Sequence, residues 1–179
     1  MTKIWTIGHS TRLIGEFIEL LHSHAIKTLV DIRTLPGSRN YPQFNKETLE
    51  GLLLKNGIEY IHMKKLGGLR RPTRDSHNRA WRNPMFRGYA DYMETSAFKE
   101  AVEELLEIAL TRATAIMCAE VLWWRCHRSL IADYLKIRGI EVIHIINLNK
   151  SIEHPYTSAA IISEGHLSYE LIDRSGILQ

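Results

Sequence analysis

Short, almost uninterrupted apolar runs alternate along the chain with stretches whose apolar residues recur every three or four positions. Ile4-Trp5-Thr6-Ile7 reads as a buried strand, followed by Leu13, Ile14, Phe17, Leu20 and Leu21 at helical spacing, with Ser10 and Thr11 as candidate caps. Thr28 to Ile32 reads as a second strand. A helix carrying Leu49, Leu52 and Leu53 follows, with Asn45 as its expected cap and Asn56-Gly57 as its stop. Ile58 to Ile61 is a third strand. A segment without periodicity runs from Lys64 to about Gly88, and a helical pattern then continues to Arg112 with a break at Thr95-Ser96. Thr114 to Cys118 and Ile140 to Ile146 are the fourth and fifth strands, separated by a helix over Cys126 to Arg138 that Gly139 stops. In the tail a short helix is expected near Thr157 to Ser163 and a brief strand at Leu167 to Tyr169.

Alternating strands and helices with continuously apolar strands predict a three-layer α/β architecture. A mostly parallel five-stranded sheet would be covered by helices on both faces, in a Rossmann-like or flavodoxin-like manner. The 179 residues suit a single α/β domain over residues 1–179, with 64–88 as a basic irregular insertion. A hydrophobic share of 45% and a charged share of 24% exclude disordered, collagenous and coiled-coil classes. No apolar run is long enough for a membrane span, and the N-terminus enters a strand pattern without a secretory leader. Two cysteines, Cys118 and Cys126, do not make a secreted disulfide framework, so a cytoplasmic location with reduced thiols is expected.

Charge is unevenly placed. Lys64, Lys65, Arg70, Arg71, Arg74, Arg79, Arg82 and Arg87 face one acid, Asp75, for a local charge of +7; the chain as a whole carries only +3, so the remainder is at −4. Trp81, Phe86 and Tyr89 lie in or beside this segment, a mixture suited to phosphate contact and base stacking. The plainer alternative is a solvated loop whose arginines pair with the acidic body.

In open α/β sheets ligands bind beyond the carboxyl ends of the strands. Gly8-His9-Ser10 follows the first strand, and Asp31 and Arg33 close the second, leading to Ser38 and Arg39. Gly67-Gly68 follows the third. Cys118 and Glu120 close the fourth, and Cys126-His127-Arg128 opens the next helix. If strands one and four are neighbours, His9 and Ser10 approach Cys118 and Glu120. A carboxylate at the sheet rim is a candidate acid, base or nucleophile. A thiol at a helix N-terminus is a candidate thiolate beside an anion-binding arginine. Each cluster also has a structural reading: a strand end, a helix cap, a buried Asp31–Arg33 ion pair, a glycine turn, a buried thiol acting as a small hydrophobe. Trp123-Trp124 is equally open between a stacking platform and loop packing.

Taken together, the pieces Thr6-Ile7-Gly8-His9-Ser10, Asp31-Ile32-Arg33, Leu66-Gly67-Gly68, Phe86-Arg87-Gly88-Tyr89, Cys118-Ala119-Glu120 and Cys126-His127-Arg128 resemble the bacterial and archaeal family called domain of unknown function 488. The resemblance extends to His154-Pro155 and Leu167-Ser168-Tyr169. It implies a compact α/β fold and a shared site, and supplies no reaction.

Three functions remain open. The first is an enzyme, hydrolase or transferase, on a phosphorylated or nucleotide-like substrate. Glu120, His9, Cys118 and Cys126 would be its catalytic residues, and Ser10, Asp31, Arg33, Ser38, Arg39, Gly67, Gly68, His127 and Arg128 would bind the anion. No resident cofactor or metal is expected for it, and the cysteine-phosphatase spacing is absent, since six residues separate Cys118 from Arg125. The second is a nucleic-acid-binding module using the Arg70–Arg87 segment. The third is a metal site of Cys118, Cys126 and His127, whose seven-residue cysteine spacing matches no familiar zinc motif.

Overall fold

A computed structural model describes residues 2–171. Six strands form one sheet in the order β3-β2-β4-β1-β5-β6, in which β1 (Lys3–Gly8), β2 (Thr28–Asp31), β3 (Glu59–His62), β4 (Thr114–Cys118) and β5 (Glu141–Asn147) are parallel. The five expected strands are joined by a sixth, β6 (Lys150–Glu153), antiparallel to β5. β6 alternates poorly and is largely exposed, which is why no strand pattern marks it.

The central strands bury both faces, so their side chains alternate between two cores. Ile116 of β4 joins one cluster, while Ala115 and Met117 join the other. Helices α1 (Ile14–Ser23) and α2 (Lys46–Lys55) cover the second cluster through Phe17, Leu20, Leu21, Leu49 and Leu53. Helices α3 (Pro84–Met93), α4 (Ser96–Thr111) and α5 (Arg128–Ile137) cover the first through Tyr89, Phe98, Val102, Leu105 and Leu130. The crossovers through α1 and α2 run toward β3, and those through α3–α4 and α5 run back toward β5. Right-handed connections therefore put the two sets on opposite faces. The reversal leaves a crevice beyond the carboxyl ends of β1, β2 and β4.

Several local expectations change. Helix α1 starts after Leu13, so Ser10 and Thr11 do not cap it; Ser10 instead sits in the left-handed region at φ 44°. Asn45 precedes α2, but its side chain accepts the Ser38 N–H at 2.6 Å rather than capping the helix. The α3 helix begins at Pro84, inside the stretch read as irregular, with Asn83 accepting the Met85 N–H. The break before α4 is real, and Thr95 caps it. In place of a helix near residues 157–163 lies β7 (Ile161–Ser163), paired with β8 (His166–Ser168) through Glu164 and Gly165. Both turn residues have positive φ, the geometry of a tight hairpin turn that twists with its strands.

Candidate functional site

Beyond β1 and β4 the pairing continues into their loops, with His9 N donating to Cys118 O at 3.0 Å and Ser10 N to Ala119 O at 2.8 Å. This close approach requires glycine at position 8, where a Cβ would lie 2.0 Å from the Glu120 carbonyl oxygen. The assumed adjacency of strands one and four is thus observed, and it brings His9 and Ser10 beside Cys118 and Glu120.

These loops border a cavity of about 560 Å³. Of the residues singled out from sequence, His9, Ser10, Arg33, Ser38, Gly68, Cys118, Glu120, Cys126 and His127 line it. Phe86, read from sequence as a stacking candidate of the basic segment, also lines it, as do Arg125 and Tyr41, which sequence reasoning did not assign to a site. Asp31, Arg39, Gly67 and Arg128 do not. Arg39 is exposed elsewhere, and Gly67 packs where a Cβ would meet Thr34 Oγ1 at 2.4 Å. The basic segment contributes Gly68, Leu69, Met85 and Phe86 to the wall, not its arginines.

One side of the floor is an ion pair. Asp31 is fully buried and receives the Arg33 backbone N–H, its Nε and its Nη2, together with the Tyr60 hydroxyl at 2.7 Å. Arg33 Nη2 also donates to Phe44 O, and Nη1 faces His9 Nε2 at 3.2 Å. Of the five guanidinium N–H groups this arrangement leaves one, on Nη1, for the cavity. The His9 Nδ1–H donates to Ser10 O at 3.0 Å, and the ring stacks on Phe44. Burial lowers the His9 imidazole to about 4, and the neighbouring Arg33 charge pushes the same way. His9 is therefore neutral at pH 7, with both nitrogens committed, which suits positioning better than proton transfer. His62 holds the Arg33 carbonyl from the β3 side.

The other side is sulfur. Cys118 Sγ and Cys126 Sγ lie 4.0 and 3.7 Å from His127 Nδ1, and the three potential ligand atoms all fall within 4.8 Å of one another. His127 is buried against Tyr89 and against Gly68, where a Cβ would lie 2.4 Å from Nδ1; its Nε2 has no hydrogen-bond partner among the described residues. Hydrogen bonding to Cys126 and burial raise the Cys118 thiol well above its ordinary range. Burial opposes ionisation of Cys126, but the Cys118 hydrogen bond and the charges of Arg128 and His127 outweigh it and hold that thiol well below.

Arg128 lies beneath, only 1% exposed. Its Nη2 donates to the carbonyls of Glu120 and Val121, its Nη1 to Thr6 Oγ1, and its Nε and backbone N to Cys126 Sγ at 3.4 and 3.5 Å. Among the described residues no carboxylate pairs with it. Its charge is instead met by two backbone carbonyls, the Thr6 hydroxyl and the Cys126 sulfur, and it favours the thiolate form of that sulfur. Glu120 is exposed at the mouth, where its carboxylate accepts the Leu122 N–H.

The model of the family described as "Domain of unknown function DUF488" matches residues 13–135. The chain belongs to that family. No curated protein and no solved structure matches it. The family match takes in Arg33, Gly68, Cys118, Glu120, Cys126, His127 and Arg128. It excludes His9 at one end and the last strands at the other. Function is not supplied by the family, whose description names none.

Behind the match lies a polar chain that sequence reasoning missed. Thr6 Oγ1 bonds His144 Nδ1 at 2.7 Å, His144 Nε2 meets His154 Nδ1 at 2.8 Å, and His154 Nε2 meets Asp133 Oδ1 at 2.9 Å. Thr157 and Tyr169 complete the Asp133 shell. Trp123 stacks on His144 at 4.4 Å, so it packs the interior, while Trp124 is exposed. The advance signals were an isolated histidine, His144, in an apolar strand run and the inclusion of His154 and Tyr169 in the family resemblance. Tyr89, read as a stacking candidate, is fully buried with its hydroxyl on Leu66 O. No helix among the described residues is long and apolar enough to cross a membrane.

Proposed function

We propose that the protein is an enzyme acting on a phosphorylated or nucleotide-like substrate held in this cavity, with the Cys118–Cys126–His127 cluster as its reactive centre. The observation that carries this reading is the buried Arg128, which donates to the Cys126 sulfur beneath the cavity and pairs with no carboxylate among the described residues. A buried guanidinium set against a thiol beneath an open cavity is the kind of charge placement that marks functional sites. The free Arg33 N–H and the exposed Arg125 supply contacts for an anionic group. Tyr41, Leu69, Met85 and Phe86 offer an apolar wall for a base or sugar. Glu120, at the solvent edge, is placed to exchange a proton with a leaving group or with water. His9 and Asp31 are positioning residues, since they act through Arg33.

A thermal-shift panel of nucleotides, sugar phosphates and short nucleic acids at low and high salt tests the reading. At least one anionic small molecule is expected to raise the melting temperature, and Arg125→Ala is expected to weaken that shift. No stabilisation by any anionic small molecule refutes it. A second reading, nucleic-acid binding, draws on Arg71, Arg74, Arg79 and Arg82, all exposed and none in an ion pair among the described residues. In the same panel it appears as oligonucleotide binding that weakens steeply with salt and is lost when these four arginines are replaced.

A further inference from the structure

The reactive centre has the donor set and spacing of a metal site. We propose that Cys118, Cys126 and His127 bind a zinc ion through three protein ligands, leaving a fourth position open to the cavity. In a tetrahedral zinc site with Zn–S near 2.3 Å and Zn–N near 2.05 Å, sulfur and nitrogen ligands sit about 3.6 Å apart and two sulfurs about 3.8 Å apart. The sulfurs here lie 3.7 and 4.0 Å from His127 Nδ1, and no pair of the three atoms exceeds 4.8 Å. The ligands therefore need shifts of a few tenths of an ångström for nitrogen to sulfur, and no more than about an ångström between the sulfurs.

Two features beyond spacing point to a ligand. The His127 ring is fixed by packing on Gly68 and Tyr89, with Nδ1 aimed at both sulfurs. The Arg128 Nε and backbone N–H groups already contact Cys126 Sγ, as outer-shell donors do to a metal-bound thiolate. Two thiolates and an imidazole favour zinc over magnesium or calcium, which take oxygen ligands. The nearest cavity carboxylate, Glu120, is at the mouth and not in the cluster. Three ligands with an open fourth position is the catalytic rather than the structural pattern.

This deepens the proposed function and rests on the cavity being its reaction site. A water in the fourth position would lose a proton to solvent or Glu120 at the mouth. Its oxygen would form the new bond to the electrophilic atom of the substrate, and the leaving group would depart with the electrons of the broken bond.

The test uses the full chain, reduced, stripped with a chelator and reloaded with zinc sulfate. Elemental analysis after dialysis is expected to give one zinc per chain, and zinc is expected to protect both thiols from a disulfide reagent. Cobalt substitution is expected to give the near-ultraviolet thiolate-to-cobalt absorption and strong visible bands of a tetrahedral site. Cys118→Ala and His127→Asn should each abolish stoichiometric binding while Glu120→Gln retains it. The wild-type cobalt spectrum decides the matter even if a variant fails to fold. Unprotected thiols in excess zinc, an octahedral cobalt spectrum, or binding that survives the Cys118 and His127 substitutions overturns the proposal. Ligand-induced thermal shifts without zinc binding sink the zinc site alone. Zinc binding without any anionic ligand sinks the substrate reading instead.

Discussion

Acid should unfold this protein in part through His144, whose ring is 1% exposed. Burial lowers its imidazole from 6.5 to about 2, with the charges of His154 and Arg128 acting in the same direction. Thr6 holds one ring nitrogen, His154 the other, and Trp123 covers the ring face, so a second ring proton would put a buried charge out of reach of water and force the Thr6 hydroxyl to turn. A group whose folded value is depressed contributes stability that is present above its unfolded value and lost as pH falls below it. For His144 that window opens at 6.5 and runs down toward 2. At about 1.4 kcal/mol per pH unit, the loss between pH 7 and pH 4.5 is about 2.5 kcal/mol. The perturbation is His144→Gln, which keeps a donor and an acceptor but does not titrate. Urea unfolding of both proteins at several pH values from 7 to 4.5 isolates the residue, because acid effects from His9 and the carboxylates are shared and cancel. The variant is expected to start less stable and to lose about 2.5 kcal/mol less over the range. Parallel stability curves for the two proteins would show that His144 accepts its proton without cost and would refute the reasoning.

Other substitutions probe the floor of the cavity. Gly68→Ala forces a Cβ against the His127 ring and is expected to destabilise by about 1–3 kcal/mol, read as a lower melting temperature. Asp31→Asn strands the buried Arg33 charge and is expected to cost about 3–5 kcal/mol in denaturant unfolding; a loss under 1 kcal/mol would mean that water reaches the pair. Arg128→Lys is not conservative, since an ammonium cannot span Thr6, Cys126 and two carbonyls at once. It is expected to slow alkylation of Cys126 by iodoacetamide at neutral pH relative to wild type, and an unchanged rate would remove Arg128 as the partner of the sulfur.

The architecture was legible because it rests on local chemistry. β1, β2 and β4 are apolar on successive residues, and only a sheet covered on both faces buries such strands. Helix ends at Asn56-Gly57 and Gly139 were legible for the same reason, since their positive φ needs glycine. The rule that ligands gather beyond strand carboxyl ends gathered His9, Cys118, Glu120 and Cys126 onto one rim. Less was legible where a polar side chain chose a partner distant in sequence. Asn45 reads as a cap but serves the Ser38 N–H, and β6 hides because an exposed edge strand carries no alternation.

Residue types and order by themselves determined that this chain forms a parallel sheet with thiols, a carboxylate and arginines at its carboxyl edge. They also determined that the positive charge is concentrated in one segment. Tertiary structure alone decided what each of those groups is free to do. Arg33 and Arg128 look alike as anion binders in sequence, yet Asp31 occupies nearly all of one and the other is sealed beneath Cys126. Cys118 and His127 become neighbours only because the β1 and β4 loops zip together and Gly68 leaves room for the ring. Burial and three-dimensional proximity set charge states, and neither is written in the spacing of residues along a chain.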